Sequence, residues 1–508
     1  MGSSYVLISS GWRPCTTRNS HVEFASLQLQ KKETRPPMRN TIDARRGALA
    51  SPARISHTRC AQVAYGEGRS SNRRRWSGNG VNIDAMQLED RVVATLDAPS
   101  PEERRSVWDS MANVREEFED IDRLVAANLA RVQAAFRAHR VGPHHFAGST
   151  GYGHGDLGRA TLDDVMATIF EAEAAACRIQ FVSGTHAIAA GLFACLRPGD
   201  ELLAVAGSPY DTLEEVIGTR GIPQSGSLMD FGVSYRTLDL QEDGTVDFDA
   251  LAGALRPETR VALVQRSCGY ALRPTLSIED IERIVKIIKA KSPDTLVLVD
   301  NCYGEMTAER EPTAVGADLC MGSFIKNPGA TIVTGGGYVV GRRDLVDRAV
   351  ARMSAPGVGM DAGSVPGETL RLMFQGLYMC PATVGEALKS GRLIAEVFSS
   401  RGYTVIPAPG NSGPLSFITA IKMQTPEAML DFCKIVQRNS PIGSYVRPEF
   451  GVTPGYADSV VFADGSFVDG STAEMTCDGP SRPPYVVYCQ GGFSVSQWIN
   501  VLDEWLNL

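Results

Sequence analysis

The spacing of hydrophobic residues in the first half of the chain predicts helices before any strand. From about residue 107 to 137, apolar residues recur at intervals of three and four, which is the period of an amphipathic helix. Residues 161–177 repeat this spacing, with Thr161 as the predicted N-cap and Asp164 at the capping-box position. The next five residues, 178–182, predict a short buried strand. The sequence therefore predicts a helical N-terminal region that leads into a sheet.

Further along the chain, strand and helix patterns alternate. Continuous apolar runs at 260–265 and 295–300 are typical of parallel strands that are covered on both faces. Between them, residues 278–291 have the spacing of an amphipathic helix, and a long helical region follows at 369–398. From residue 402 onward the elements are shorter. This pattern predicts an α/β fold with a mostly parallel central sheet and helices on both faces, plus a smaller C-terminal α+β domain.

Composition divides the chain into unequal parts. Residues 1–80 contain 14 Lys and Arg but only 4 Asp and Glu, and they lack sustained periodicity. Such an arginine-rich, acid-poor leader predicts a disordered organelle transit peptide, for a chloroplast or a mitochondrion. The alternatives are a basic arm that binds nucleic acid or membrane, and a cytoplasmic protein. The predicted organisation continues with a helical arm and active-site loop at 81–160, a large domain at 161–395 and a small domain at 396–508.

The composition of the remaining chain excludes several classes of protein. The 508 residues are 43% hydrophobic and 21% charged, as in soluble globular proteins. No stretch is apolar for long enough to predict a transmembrane helix. Residues after position 80 carry an excess of acidic side chains, so we expect no nucleic-acid partner and no membrane partner. The eleven cysteines form no C-x-x-C pair, which argues against a zinc ribbon, and we expect no metal.

One lysine stands out as a candidate for chemistry. Lys326 lies in a predicted turn between a small-residue segment and a glycine-rich strand, and it is the sole lysine between residues 295 and 350. Burial would lower the pKa of such a lysine, and its neutral amine could then form a Schiff base with a carbonyl. The alternative is a lysine on a surface loop. Lys326 alone does not separate the two.

Three other features occur in a fixed order before this lysine. A predicted helix opens on residues 183–185, where its first N–H groups would point outward toward a phosphate. Tyr210 follows a predicted strand, and Asp300 ends another. Pyridoxal phosphate needs such a set: N–H donors for the phosphate, an aromatic plate, a carboxylate for the ring nitrogen and a lysine for the aldehyde. The order therefore predicts a pyridoxal-phosphate site.

The sequence also resembles a known family. It is similar to the aluminium-resistance, methionine gamma-lyase-like family of fold-type I pyridoxal-phosphate enzymes, which is related to the enzymes of cysteine and methionine metabolism. The resemblance covers most of the chain after about residue 88. One departure is Ile325, where many relatives have threonine before the lysine. The matching stretches are residues 145–159, 181–188, 265–274, 299–305, 322–330, 444–449 and 482–492.

The resemblance implies a role for each candidate cofactor ligand. Lys326 would carry the Schiff base and then move the α-proton of the substrate, and Asp300 would pair with the pyridine nitrogen. Tyr210 would stack on the ring and assist elimination. The predicted phosphate ligands are Ser183, Gly184, Thr185 and Ser323.

The resemblance also implies more distant contributions. Tyr152 and Arg159 would reach the phosphate of a neighbouring subunit, in a homodimer or homotetramer with shared active sites. Arg482 would bind the α-carboxylate of the substrate through a bidentate contact, although a salt bridge at the surface is an equal alternative.

The function that follows is a pyridoxal-phosphate-dependent carbon–sulfur lyase. Methionine, cystathionine or cysteine would be the small-molecule substrate, and the reaction would be a β- or γ-elimination. An aminotransferase, a replacement enzyme and a catalytically silent metal-resistance protein that keeps the cofactor site are the alternatives. A dinucleotide-dependent oxidoreductase is disfavoured, because no G-x-G-x-x-G follows the first predicted strand.

Overall fold

The computed structural model describes residues 105–410 and 413–507. The predicted transit peptide and the first part of the predicted arm lie outside this part of the chain. Among the described residues, no helix is long and apolar enough to cross a membrane.

Two helices open the described chain, α1 (Arg105–Asn113) and α2 (Arg115–Ala138). They confirm the helical pattern predicted for this region. Helix α2 packs along the long helix α9 (Gly367–Ser399). At Gly385 the two helices are so close that a Cβ atom would lie 2.3 Å from Cγ2 of Val125. The absence of a side chain at this glycine therefore sets the distance between α2 and α9.

In the described part of the chain, the larger of two sheets has seven strands in the order β1-β7-β6-β5-β4-β2-β3. All neighbours pair in parallel except β7, which runs antiparallel to both β1 and β6. The prediction of a mostly parallel sheet is confirmed. The strands are β1 (Ala174–Arg178), β2 (Glu201–Ala204), β3 (Ser234–Thr237), β4 (Thr259–Gln265), β5 (Leu296–Asp300), β6 (Leu319–Ser323) and β7 (Gly337–Gly341).

Helices cover both faces of this sheet, which explains its continuous apolar strands. In β5, Leu296 and Leu298 pack into the core on one face, whereas Val297 and Val299 pack into the core on the other. Because each face has its own hydrophobic core, the first four positions of the strand are all apolar, and Asp300 ends it. The covering helices are α3 (Leu157–Ile169), α4 (Gly184–Cys195), α5 (Asp211–Ile217), α6 (Phe248–Ala254), α7 (Ile278–Lys291) and α8 (Arg343–Met353).

The second sheet has five antiparallel strands in the order β10-β11-β12-β9-β8. Two helices accompany it, α10 (Pro426–Arg438) and α11 (Val495–Leu506). Its core also receives the C-terminal end of α9, including Leu393 and Phe398. The strands are β8 (Val405–Ile406), β9 (Ile418–Lys422), β10 (Val460–Asp464), β11 (Thr476–Pro480) and β12 (Val486–Gln490).

The predicted helix at 161–177 and the predicted strand at 178–182 are both wrong in their bounds. Helix α3 begins four residues before Thr161, with the Asp156 side chain accepting the N–H of Arg159, and it ends at Ile169. Glu171 then takes a left-handed conformation with φ of 50°, which breaks the helix. The alanines that follow form β1, because they pair with β7 across the sheet. Tertiary pairing overrides the helix propensity of alanine here.

A cavity between the two sheets as the candidate active site

A cavity of about 610 Å³ lies where the carboxyl ends of the parallel strands face the smaller sheet. Its floor includes the last residues of β4, β5 and β6, namely Gln265, Asp300 and Ser323. The opposite wall comes from β10, β11 and β12. This is the edge at which open α/β sheets bind ligands, and a cavity of this size accepts a small molecule.

Lys326 faces this cavity rather than the outer surface. The chain leaves β6 at Ser323 and reaches Lys326 just before a 3-10 turn at Asn327–Gly329. The Lys326 Nζ lies 4.0 Å from the centroid of the Tyr303 ring, a cation–π contact. Burial pushes the pKa of Lys326 down, but the neighbouring Tyr303 and Cys302 push it up by more, so the net pKa lies above the usual value. Burial therefore acts in the predicted direction, but the predicted net lowering of this pKa is wrong.

Asp300 places a buried carboxylate on the same side of the cavity. Its Oδ1 accepts the backbone N–H of Cys302 at 3.0 Å, and only 6% of the residue is exposed. Burial raises the pKa of Asp300, while the Cys302 N–H and the charge of Lys326 act in the opposite direction. A buried carboxylate at a cavity floor is stabilised by a cationic partner. The protonated ring nitrogen of pyridoxal phosphate is such a partner.

The N-terminus of α4 supplies the anion-binding part of the cavity. Ser183 caps this helix, and its Oγ accepts the N–H of His186 at 3.1 Å. The Thr185 Oγ1 lies 3.2 Å from the Thr212 Oγ1. A Cβ atom on Gly184 would lie 3.1 Å from the Ser323 Cβ and would fill the space in front of the helix. The missing side chain leaves a cradle of N–H and hydroxyl groups, which fits a phosphate.

Tyrosine rings form one side of the cavity. Tyr210 donates its backbone N–H to the Gln265 side chain, and its hydroxyl lies 2.7 Å from that of Tyr456. Its ring meets Tyr270 edge-on, with centroids 5.4 Å apart. Burial raises the pKa of the Tyr210 hydroxyl, so this group keeps its proton at neutral pH. The residues present, including Lys326, Asp300 and the α4 cradle, fit pyridoxal phosphate.

A model of the methionine gamma-lyase family matches residues 104–507. The chain belongs to the methionine gamma-lyase family. An uncharacterised member from Bacillus subtilis, YnbB, is 41% identical over 399 residues, which are 78% of this chain and 94% of that protein. A solved structure of the same fold, the pyridoxal-5'-phosphate-dependent protein YhfS from Escherichia coli, is 19% identical, with a TM-score of 0.50 and coverage of 76% of this chain and 96% of that chain.

Two solved structures share the fold of this family member along most of its length. A candidate cystathionine beta-lyase involved in aluminum resistance from Listeria monocytogenes is 39% identical, with a TM-score of 0.75. The match covers 78% of this chain and 98% of the Listeria chain. A carbon–sulfur lyase involved in aluminum resistance from Clostridium novyi is 36% identical, with a TM-score of 0.76 and coverage of 84% and 100%. The fold is that of fold-type I pyridoxal-phosphate enzymes, as predicted.

Most of the predicted cofactor ligands of this family member lie together. The lining of the cavity includes Ser183, Gly184, Thr185, Tyr210, Asp300, Ser323 and Lys326.

Tyr152 and Arg159 do not line the cavity. Tyr152 is 74% exposed and stacks on His154, with ring centroids 5.4 Å apart. Arg159 is buried, and its guanidinium donates to the backbone carbonyl of Gly363 at 2.6 Å and to the carboxylate of Asp361 at 3.4 Å. Their predicted contact with a neighbouring subunit stays a prediction.

Arg482 also lies outside the lining. Its guanidinium donates to the Asp458 carboxylate at 2.8 Å and to the Tyr270 carbonyl at 3.3 Å. This is the surface salt bridge that the sequence left open as an alternative. A role in binding the substrate carboxylate stays a prediction.

Several lining residues had no predicted role. Tyr303 and Gln490 lie inside stretches that carry the family resemblance, and Tyr303 has a left-handed backbone with φ of 72°. Strain of this kind collects at functional sites, but it is invisible in a sequence. Tyr456 and Asp478 come from the smaller sheet and its loops. No spacing in the sequence connects them to Lys326.

Proposed function

We propose that this protein is a pyridoxal-phosphate-dependent carbon–sulfur lyase that cleaves a sulfur amino acid by β- or γ-elimination. The observation that supports it is the placement of Lys326, Asp300 and the N-terminus of α4 around one cavity. These groups match the aldehyde, the ring nitrogen and the phosphate of the cofactor. The lyase names of its relatives from Listeria and Clostridium support the same reaction class.

The cofactor would be held at three points. The N–H groups of Gly184 and Thr185 and the hydroxyl of Ser323 would bind its phosphate, and Asp300 would keep its ring nitrogen protonated. Lys326 would hold its aldehyde carbon. Pyridoxal phosphate, when bound, supplies an electron sink that stabilises negative charge at the α-carbon of the substrate.

Two side chains of the cavity move protons in this proposal. Lys326, as the sole basic side chain among the described lining residues, takes the proton from the α-carbon of the substrate. Tyr210, whose hydroxyl contacts that of Tyr456 at 2.7 Å, donates a proton to the departing sulfur. The carbon–sulfur bond breaks with both of its electrons going to sulfur, so a thiol leaves. Water then hydrolyses the remaining fragment to a 2-oxo acid and ammonia.

Reconstitution and product analysis test the proposal. The purified protein, incubated with pyridoxal phosphate, should gain a visible absorbance band, and borohydride should fix a pyridoxyl label on Lys326. Lys326→Ala should remove both signals. Lys286→Ala is the matched control, because the Lys286 side chain is 69% exposed and pairs with Glu282 on a helix surface.

The products separate the lyase from its alternatives. Methionine, cystathionine or cysteine should yield 2-oxo acid, ammonia and a sulfur product in equal amounts. A protein that takes up no cofactor would refute the proposal. The same assay with an added 2-oxo acid supplies an amino-group acceptor: turnover that requires this acceptor and releases neither ammonia nor a sulfur product would indicate an aminotransferase. Cofactor uptake without turnover in either assay would favour the silent metal-resistance protein.

A shared active site in a homodimer or homotetramer is part of the same proposal. Tyr152 is exposed at the surface, where a second copy could meet it. Light scattering of the purified protein measures the assembly, and Tyr152→Ala should weaken cofactor binding if a neighbouring subunit uses it. Import into an organelle by residues 1–80 is likewise proposed, and a fluorescent fusion with and without these residues tests it.

A further inference from the structure

The wall of the cavity that the smaller sheet contributes carries carboxylates rather than cations. Lys326 is the sole basic group among the described lining residues, whereas the smaller sheet and its loop contribute Asp464, Asp469 and Asp478. Asp478 lies on β11, accepts the side-chain amide of Gln490 at 3.1 Å, and is also hydrogen-bonded to Tyr270. This wall therefore repels a substrate with an anionic far end and attracts one with a cationic far end.

Buried oxygens without partners lie on the same wall. Thr472, Thr476 and Gln490 are only 3%, 5% and 7% exposed, and all three line the cavity. Within the described residues, the hydroxyl oxygens of both threonines and the Oε1 of Gln490 have no hydrogen-bond partner. A buried acceptor without a donor is costly unless a ligand supplies one. Each threonine hydroxyl can accept or donate, but the Gln490 Oε1 can only accept and its side chain contacts the Asp478 carboxylate. This set favours a ligand group with several N–H donors.

An ammonium group has the required chemistry, since it carries three donors, one positive charge and no acceptor. Burial raises the pKa of Asp478 to about 7. The hydrogen bond from Tyr270 and the charge of Lys326 stabilise its ionised form but do not offset burial, so a bound cation would stabilise it further. Methionine ends in a methyl thioether, which would leave all of these groups without a partner.

We propose that Asp478, together with the side-chain oxygens of Thr472, Thr476 and Gln490, forms a subsite for an ammonium group at the far end of the substrate. The preferred substrates are then thioethers that carry a second amine beyond the sulfur, rather than methionine. This inference rests on the proposed lyase function, because it places the cleaved bond between Lys326 and the subsite.

Three cysteine thioethers that share a three-carbon spacer after the sulfur test the subsite in the reconstituted enzyme. S-(3-aminopropyl)-L-cysteine carries the far ammonium, S-propyl-L-cysteine lacks it, and S-(3-carboxypropyl)-L-cysteine replaces it by a carboxylate. Elimination converts each to pyruvate, ammonia and a thiol. The aminopropyl compound should have a kcat/KM about 10- to 100-fold above the propyl compound, as expected for a charge-assisted contact. The carboxypropyl compound should be the poorest substrate.

Asp478→Asn keeps the shape of the side chain and removes its charge. It should reduce the ratio of kcat/KM between the aminopropyl and propyl compounds to about one. Asp464→Asn is the matched control, because the Asp464 carboxylate is already bound by the N–H and hydroxyl of Ser466. This control should keep most of the ratio. Equal cofactor absorbance in both variants shows that the site is intact.

The outcomes separate this inference from the proposed function. If none of the three compounds yields pyruvate but methionine or cystathionine yields a 2-oxo acid and ammonia, the lyase function stands and the ammonium subsite is wrong. If no sulfur amino acid is consumed, the lyase function itself fails. If all three react equally well in the wild-type enzyme, the lyase function stands and the ammonium subsite is wrong. A preference for the aminopropyl compound that survives Asp478→Asn would also overturn the assignment of this residue.

Discussion

The buried Glu305 offers a test of the structure that needs no assumption about substrate. Its Oε1 accepts the hydroxyl of Tyr338 at 2.7 Å, and its Oε2 is buried without a hydrogen-bond partner among the described residues. The residue is 1% exposed. Burial raises the pKa of Glu305 to about 8, from an ordinary value of 4.5. Glutamine has the same shape as the protonated acid, so Glu305→Gln should preserve the fold.

The sign of the effect follows from proton binding. Between the ordinary and the folded pKa, the folded protein holds a proton on Glu305 that the unfolded chain releases. The wild-type free energy of unfolding therefore falls as pH rises, by about 1.4 kcal/mol for each pH unit in this range. The Glu305→Gln variant has no group that titrates at this position, so its free energy of unfolding lacks this pH dependence. As the pH rises from about 5.5 to about 7.5, the free energy of unfolding of the variant should therefore increase by roughly 2–3 kcal/mol relative to that of the wild type.

Urea denaturation of both proteins at the two pH values measures this difference. Glu309→Gln is the control, because it removes the same charge from an exposed side chain four residues along the chain. Its stability relative to the wild type should change little between the two pH values. If the difference in free energy of unfolding between Glu305→Gln and the wild type is also the same at both pH values, then Glu305 is ionised in the folded protein. The assignment of a buried, protonated carboxyl would then be wrong.

Three further variants probe the cavity. Asp300→Asn can still accept the Cys302 N–H but cannot pair with a cation, so kcat should fall by at least about 100-fold in steady-state assays. Near-normal turnover would exclude a role of Asp300 at the ring nitrogen. Gly184→Ala places a methyl group 3.1 Å from the Ser323 Cβ, so the Kd of pyridoxal phosphate in an absorbance titration should rise roughly tenfold. An unchanged Kd would contradict phosphate binding at the N-terminus of α4. Tyr456→Phe removes the hydroxyl that lies 2.7 Å from that of Tyr210, so kcat should fall about 3- to 10-fold with little change in KM. An effect confined to KM would instead mean that Tyr456 contacts the substrate.

Much of the site was predictable because its groups lie at the ends of local elements. Asp300 ends an apolar strand, residues 183–185 open a helix, and Lys326 follows a strand. Parallel strands bring their carboxyl ends to one edge of the sheet. The sequence order of these groups was therefore enough to predict that they share a cavity.

The remainder depends on contacts between distant segments. Asp478 and Tyr456 reach the cavity only because the smaller sheet packs over the larger one. The alanine-rich sequence of strand β1 predicts a helix, because its pairing with β7 does not appear in the spacing of residues along the chain. The pKa of Lys326 was predicted in the wrong direction because Tyr303, its closest aromatic contact, is 23 residues away in the sequence. Each of these depends on a neighbour that spacing along the chain does not reveal.

Helix α9 limits how this protein can be divided. The helix runs unbroken from Gly367 to Ser399, and its two ends enter different hydrophobic cores. Leu370 and Phe374 pack with the larger sheet, whereas Leu393 and Phe398 pack with the smaller one. A gene fragment that starts after the helix would encode the five-stranded sheet without the helix residues that fill its hydrophobic core. The C-terminal fragment should therefore not fold by itself, and a split-protein reporter should not be cut directly after this helix.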